Sequence, residues 1–289
     1  MIRSSKYVWI LFYLFILLLV IKVMGNFFGI DLENEFILFK LLYYGIPVIL
    51  MLFHSVITVG FPRAMFLIFL ASVTATYFEY IGLRDGTFFG GHYVYKPQIT
   101  LFNVPIFVIL FWAVFIYVGY SLTNSFLYWL KIKKPHIKLN NFRILPLLVL
   151  LDGYFVVAID LFLDPIAVKS GSWTWLEGGS YFGVPWGNFF GWFLIVIIVS
   201  SIFRTYEYFI SSKEKAFDKS ILIIPALGYG ATAFLYILSS IKFGLYGLPL
   251  IGSLFMLPQV VLNLFLFMKA FPSQSSPPDV TPPPLPYPN

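Results

Sequence analysis

The sequence predicts an all-α fold: a polytopic bundle of about eight membrane-spanning helices, with seven as the alternative count and both termini cytoplasmic. Three observations carry that prediction. Of 289 residues, 60% are hydrophobic and only 11% charged, whereas a soluble domain is about a quarter charged. Apolar runs of ~20 residues, the length that crosses ~30 Å of hydrocarbon, recur along most of the chain. The runs do not alternate as barrel strands do. A segment in lipid must also satisfy its own backbone hydrogen bonds, which makes each run a helix.

The expected spans are 7–24, 36–59, 63–81, 105–130, 143–163, 187–204, 221–240 and 248–269. The first follows a basic start, as in a signal peptide. No small-residue cleavage site follows Val23, so it reads as a retained helix. The loop at 25–35 carries Asp31, Glu33 and Glu35, and the longer one at 82–104 holds G-T-F-F-G-G-H-Y-V-Y. Residues 131–142 form the most basic connection. From Pro272 the chain is proline-rich and reads as a disordered tail (272–289) beyond a single transmembrane domain (1–271).

Orientation follows from the lysines and arginines flanking the spans. With the N-terminus inside, the inner side receives Arg3, Lys6, Arg63, Lys131, Lys133, Lys134, Lys138, Arg143, Arg204, Lys213, Lys215, Lys219 and Lys269. The outer side receives Lys22, Lys40, Arg84, Lys96, Lys169 and Lys242. Thirteen against six fixes the N-terminus inside and accounts for the net charge of +6, so no nucleic-acid partner is expected.

The absence of cysteine removes disulfides, thiol catalysis and thiolate metal sites. His54, His92 and His136 fall at different depths, so no metal site is expected.

The chemistry concentrates between Asp152 and Trp192. An acid within a span costs at least ~2.5 kcal/mol and usually faces a partner or a cavity. Asp160 and Asp164 lie one turn apart on one face, and Glu79 comes out at similar depth at the end of the third span. Asp152 sits eight residues before Asp160, hence ~12 Å deeper. Pro165 is expected to stop the helix. One reading has the four acids surround a pocket between the third and fifth spans, where clustered carboxylates in an apolar wall leave one proton in place to be donated. The other has Asp152 in a helix–helix hydrogen bond, and Asp164 and Glu79 capping ends or solvated at the interface. Aromatic rings surround these positions: Trp173, Trp175, Tyr181, Trp186, Phe189, Phe190 and Trp192, with Tyr93, Tyr95 and Trp112 opposite. Interfacial anchoring explains about half of them. The accompanying glycines point to tight backbone approach, and ring faces can steady a cation. Asn188 reads as a helix cap or a pocket donor. Gln259 and Asn263 read as interhelical hydrogen bonds. A short likeness between G-G-H-Y…V-P-I-F and G-G-S-Y…V-P-W-G hints at an internal repeat placing two hairpins around one site.

The stretches Glu79–Tyr95, Asn103–Trp112, Ala158–Pro165 and Trp173–Trp192 resemble the CruF-type carotenoid hydratase family, membrane proteins of carotenoid biosynthesis related to bisanhydrobacterioruberin hydratase. The resemblance covers about a third of the chain. It implies addition of water across the terminal C=C of an acyclic C40 or C50 carotenoid end group, giving a tertiary alcohol without oxygen, flavin or metal. On that implication Asp160 or Asp164 is the acid, the other and Glu79 orient water, and Trp173, Trp175, Tyr181 and Trp186 line the cation. The polyene lies between helices of a multi-pass protein in the cell membrane, alongside other enzymes of its pathway. Two rivals stand beside it. A lycopene-cyclase-like enzyme makes the same protonation but closes a ring, and a proton-coupled transporter uses the aspartates as a relay.

Overall fold

The computed structural model describes residues 2–134, 142–210 and 217–270. The proline-rich tail, His136 and most of the basic connection around it lie outside the described residues. The long helices are α1 (Ile2–Phe27), α3 (Ile37–Thr58), α4 (Phe61–Asp85), α5 (Ile106–Lys133), α6 (Leu145–Ser170), α7 (Trp186–Phe209), α8 (Ile224–Lys242) and α9 (Leu248–Ala270), with a one-turn α2 (Leu32–Glu35) between the first two. Eight helical segments are long and apolar enough to cross a membrane, and each coincides with one expected span.

Several helices outrun the prediction, and two of them bear on the buried acids. Helix α6 continues through Pro165 and ends only at Ser170, where Gly171 takes the left-handed conformation at φ 72°. Proline lacks the N–H that would reach the carbonyl four residues back. The Tyr181 hydroxyl donates instead to the Leu161 oxygen at 3.1 Å, so the helix need not stop. Helix α7 runs five residues past 204, which brings Arg204 and Glu207, both buried, inside a span.

At one end of the bundle the two aromatic loops meet. Strand β1 (Tyr93–Tyr95) pairs antiparallel with β4 (Trp173–Trp175) in the register Tyr93–Trp175, Val94–Thr174 and Tyr95–Trp173. Between them in sequence, β2 (Thr100–Leu101) and β3 (Val104–Pro105) form a second small ladder. Pro105 and Pro185 stand at the N-caps of α5 and α7, so the Val-Pro of each loop performs the same task. The loop backbones touch as well: a Cβ on Gly187 would lie 2.7 Å from the Gly90 Cα. Beneath the loops, α6 packs against α5, α7 and α9 around a core that includes Trp112, Phe162 and Phe203.

Candidate active site at the aromatic end

Glu79 belongs to the last two turns of α4 and is buried. Three neutral donors close on it. The Tyr93 and Tyr95 hydroxyls reach Oε2 at 2.6 and 2.8 Å, and the Trp112 indole reaches Oε1 at 2.9 Å. Tyr93 comes this close because residue 82, one turn along, is glycine: a Cβ there would lie 2.9 Å from the Tyr93 hydroxyl and 2.5 Å from Phe89. Burial first, then the nearby Glu79 carboxylate, holds both phenols above the ordinary tyrosine range, so both remain donors.

Asp160 and Asp164 are buried one turn apart on α6. A single group joins them. The side-chain amide nitrogen of Asn188, on the first turn of α7, donates to Asp160 Oδ2 at 2.8 Å and to Asp164 Oδ2 at 2.5 Å. Asp160 Oδ1 is buried with no hydrogen-bond partner. Asn188 is therefore the pocket donor, not the cap; Pro185 holds the cap position. Among the described residues no ion pair reaches Glu79, Asp160 or Asp164.

These groups adjoin a cavity of about 630 Å3. Its wall includes Glu79, Asp164 and Asn188, together with Tyr93, Tyr95, Trp112, Trp173, Trp175 and Trp192. The rings brace one another: Trp112 and Trp192 lie 4.1 Å apart between centroids, Tyr93 and Trp175 5.5 Å, Tyr95 and Trp173 5.7 Å. Asp160 stands one hydrogen bond behind this wall, through Asn188.

Three expected site residues are elsewhere. Asp152 is not on the wall. Arg204 grips it in two bonds of 2.6 and 2.7 Å, and the Thr123 hydroxyl adds a third at 2.7 Å. A guanidinium in range settles a buried acid into a structural pair, which corrects the placement of Asp152 in the acid pocket. Tyr181 spends its hydroxyl on the Leu161 carbonyl and does not line the cavity. Trp186 is 60% exposed and leans on Tyr181 at 5.2 Å, so it too is absent from the wall.

Conversely, the wall contains residues that the sequence did not single out. Tyr43, Tyr44, Phe111, Leu235 and Tyr236 belong to α3, α5 and α8, and α2 contributes Glu33, which accepts from Tyr44 at 2.5 Å and pairs with Lys22. Lys22, Lys40, Lys96, Lys169 and Lys242 also line it. These are all five of the lysines that the charge count assigns to that side. The only advance signal for them was that shared side.

The remaining histidines are accounted for by local bonds. His92 lies against Glu177 on the surface, at 3.2 Å from ring to carboxylate. Its own backbone and then the His92 ring hold the Glu177 carboxyl below the usual range. His54 bonds Tyr117 at 2.5 Å and the Ile221 carbonyl at 3.0 Å. Among the described residues no three His, Asp or Glu side chains gather around one metal position. Gln259 donates across to Tyr229 on α8, while Asn263 bonds back within α9.

The carotenoid biosynthesis protein family matches this chain over residues 39–258, a stretch that contains both aromatic loops and Glu79, Asp152, Asp160 and Asp164. No curated protein and no solved structure matches the chain. A match over three quarters of the sequence, with the site inside it, shows that the chain belongs to the carotenoid biosynthesis protein family.

Proposed function

We propose that this protein hydrates the terminal C=C of an acyclic carotenoid end group to a tertiary alcohol. One observation carries the reading: two buried aspartates bridged by one neutral amide, with no ion pair to either among the described residues, beside a cavity rich in aromatic rings. Two like charges that close in a dry site do not both persist, so the Asp160–Asp164 pair holds one proton between them. That proton adds to the less substituted CH carbon of the terminal C=C. The π electrons form the new C–H bond and leave a tertiary cation at the neighbouring carbon. Trp112, Trp173, Trp175 and Trp192 present ring faces and edges in that space, and a cation is drawn to the faces. A water adds its lone pair to the cation and surrenders a proton to a carboxylate, either Glu79 or the emptied aspartate. The sum is alkene plus water giving alcohol, with the acid regenerated.

Glu79 suits the accepting and orienting role because three fixed donors hold it in one orientation. The lysine bias places the aromatic end on the outer face of the cell membrane, with both termini cytoplasmic. Arg63 and Arg204 are buried within the bundle, and without them the count is still eleven against six.

Expression in a host that accumulates an acyclic carotenoid, with mass analysis of the pigments, tests the reading. Hydrated pigment gains one water per reacted end and gains none in Asp164→Asn. Pigment of unchanged mass but with a ring would replace hydration by cyclisation. Unchanged pigment would remove both.

A further inference from the structure

The acid-lined chamber has an apolar neighbour. A second cavity of about 130 Å3 shares five wall residues with it: Tyr43, Phe111, Phe115, Leu235 and Tyr236. Individual helices contribute to both in sequence order. On α8, Lys242 and Ser239 line the chamber, Leu235 and Tyr236 line both, and Thr232, Gly228 and Ile224 line only the apolar cavity. On α3 the same progression runs from Lys40 through Tyr43 to Pro47, Met51 and His54. From Lys242 to Ile224 is eighteen residues, or ~27 Å of helix, close to the ~30 Å of a hydrocarbon core. The two cavities thus adjoin along the bundle axis across one shared wall, the larger polar and charged, the smaller apolar.

His54, Tyr117 and Tyr229, three of the polar side chains beside the apolar part, are engaged with protein partners. Both His54 ring nitrogens have partners, and Tyr117 also bonds Thr58 at 3.0 Å. The Tyr229 hydroxyl donates to the Phe155 carbonyl at 2.8 Å and accepts from Gln259 at 3.0 Å. Apart from the Tyr43, Thr232 and Tyr236 hydroxyls, the rest of the wall is hydrocarbon and ring, which suits a largely apolar occupant. An ion would find no charged partner among the residues that line it.

We infer that this apolar cavity is the binding site for the body of the polyene, which threads between Tyr43 and Tyr236 along the bundle axis while its tip enters the acid-lined chamber. The inference rests on the proposed carotenoid substrate. A long rod held over most of its length presents its end group to the acids at one height, so the depth of the channel selects the length of the substrate.

Gly228 provides the test, because it lines the apolar cavity and touches none of the acids. A Cβ there would lie 3.6 Å from Phe15, an ordinary contact, whereas a larger side chain would fill the space. The full chain is purified in detergent from a host that makes an acyclic polyene, and the bound pigment is quantified per protein. Wild type and Gly228→Ala are expected to carry polyene, and Gly228→Leu about tenfold less, at unchanged thermal stability. Asp164→Asn is expected to keep its load while making no alcohol. Bound pigment is measured apart from chemistry, so Gly228-dependent loading without water addition upholds the channel and removes hydration. A wild-type load in Gly228→Leu, an empty wild-type protein, or an acyl lipid in place of the polyene overturns the channel.

Discussion

The bundle buries acids in two places and treats them in opposite ways. Away from the aromatic end, Asp152 is locked to Arg204, and Glu207 receives both of its contacts from the Tyr120 hydroxyl with Arg63 3.7 Å away. Two guanidiniums answer two carboxylates, and the Arg204 guanidinium also lies 4.8 Å from the Tyr120 ring centre. At the aromatic end, among the described residues, Glu79, Asp160 and Asp164 meet hydroxyl, indole and amide donors and no guanidinium. The first set is electrically closed, and moving a proton there would strand a charge. On the proposed reading the second has protons to give and lone pairs to receive them. Burial alone therefore does not mark a reactive acid; the nature of its partners does.

The contrast breaks first at the reactive set. Asp164→Asn and Asp160→Asn are each expected to lower alcohol formation by roughly 10²–10⁴-fold, with thermal stability in detergent equal to or above wild type. A stability loss without a rate loss would assign the pair to structure.

In the closed set the largest effect falls on stability. Arg204→Met leaves Asp152 buried without its cation, with the Thr123 hydroxyl still bonded to it, which costs about 3–5 kcal/mol. Adding Asp152→Leu should restore most of it in thermal melts, and additive losses in the double variant would show that the pair is not coupled.

Tyr95→Phe removes one of three donors from Glu79. Hydrogen bonds to charged groups contribute about 1.5–3 kcal/mol, so pigment assays should show roughly a ten- to hundredfold slower reaction. An unchanged rate would take Glu79 out of the chemistry. The smallest effect is expected from Tyr181→Phe: about 1 kcal/mol of stability from one lost hydrogen bond, with the rate per folded molecule unchanged. A rate loss beyond that would return Tyr181 to the reacting set.

How much of this was written in the sequence depends on the range of the interaction. Spans are set by apolar length, which is local, and all eight fall where hydropathy puts them. The Asp160–Asp164 face follows from helical spacing. Asn188 was visible as a candidate, but its double donation requires α7 to cross α6 at that turn, and no local pattern encodes a crossing. Arg204 looked like a flanking charge because the apolar run ends there. Only the structure shows α7 continuing to Phe209 and turning that charge inward onto Asp152. Pro165 misled for a related reason: the rule that proline ends helices assumes that nothing else will serve the abandoned carbonyl. Tyr43 and Tyr236 gave no signal beyond being tyrosines in apolar runs, since their role depends on α3 and α8 facing each other.

That abandoned carbonyl has a bearing on the site. An unmet backbone oxygen at this depth costs several kcal/mol in lipid, so α6 is at ease in the bilayer only after the segment following it has folded back and placed Tyr181. Closure of that loop therefore stabilises the helix that carries both aspartates, so the loop supports the site from behind as well as walling it.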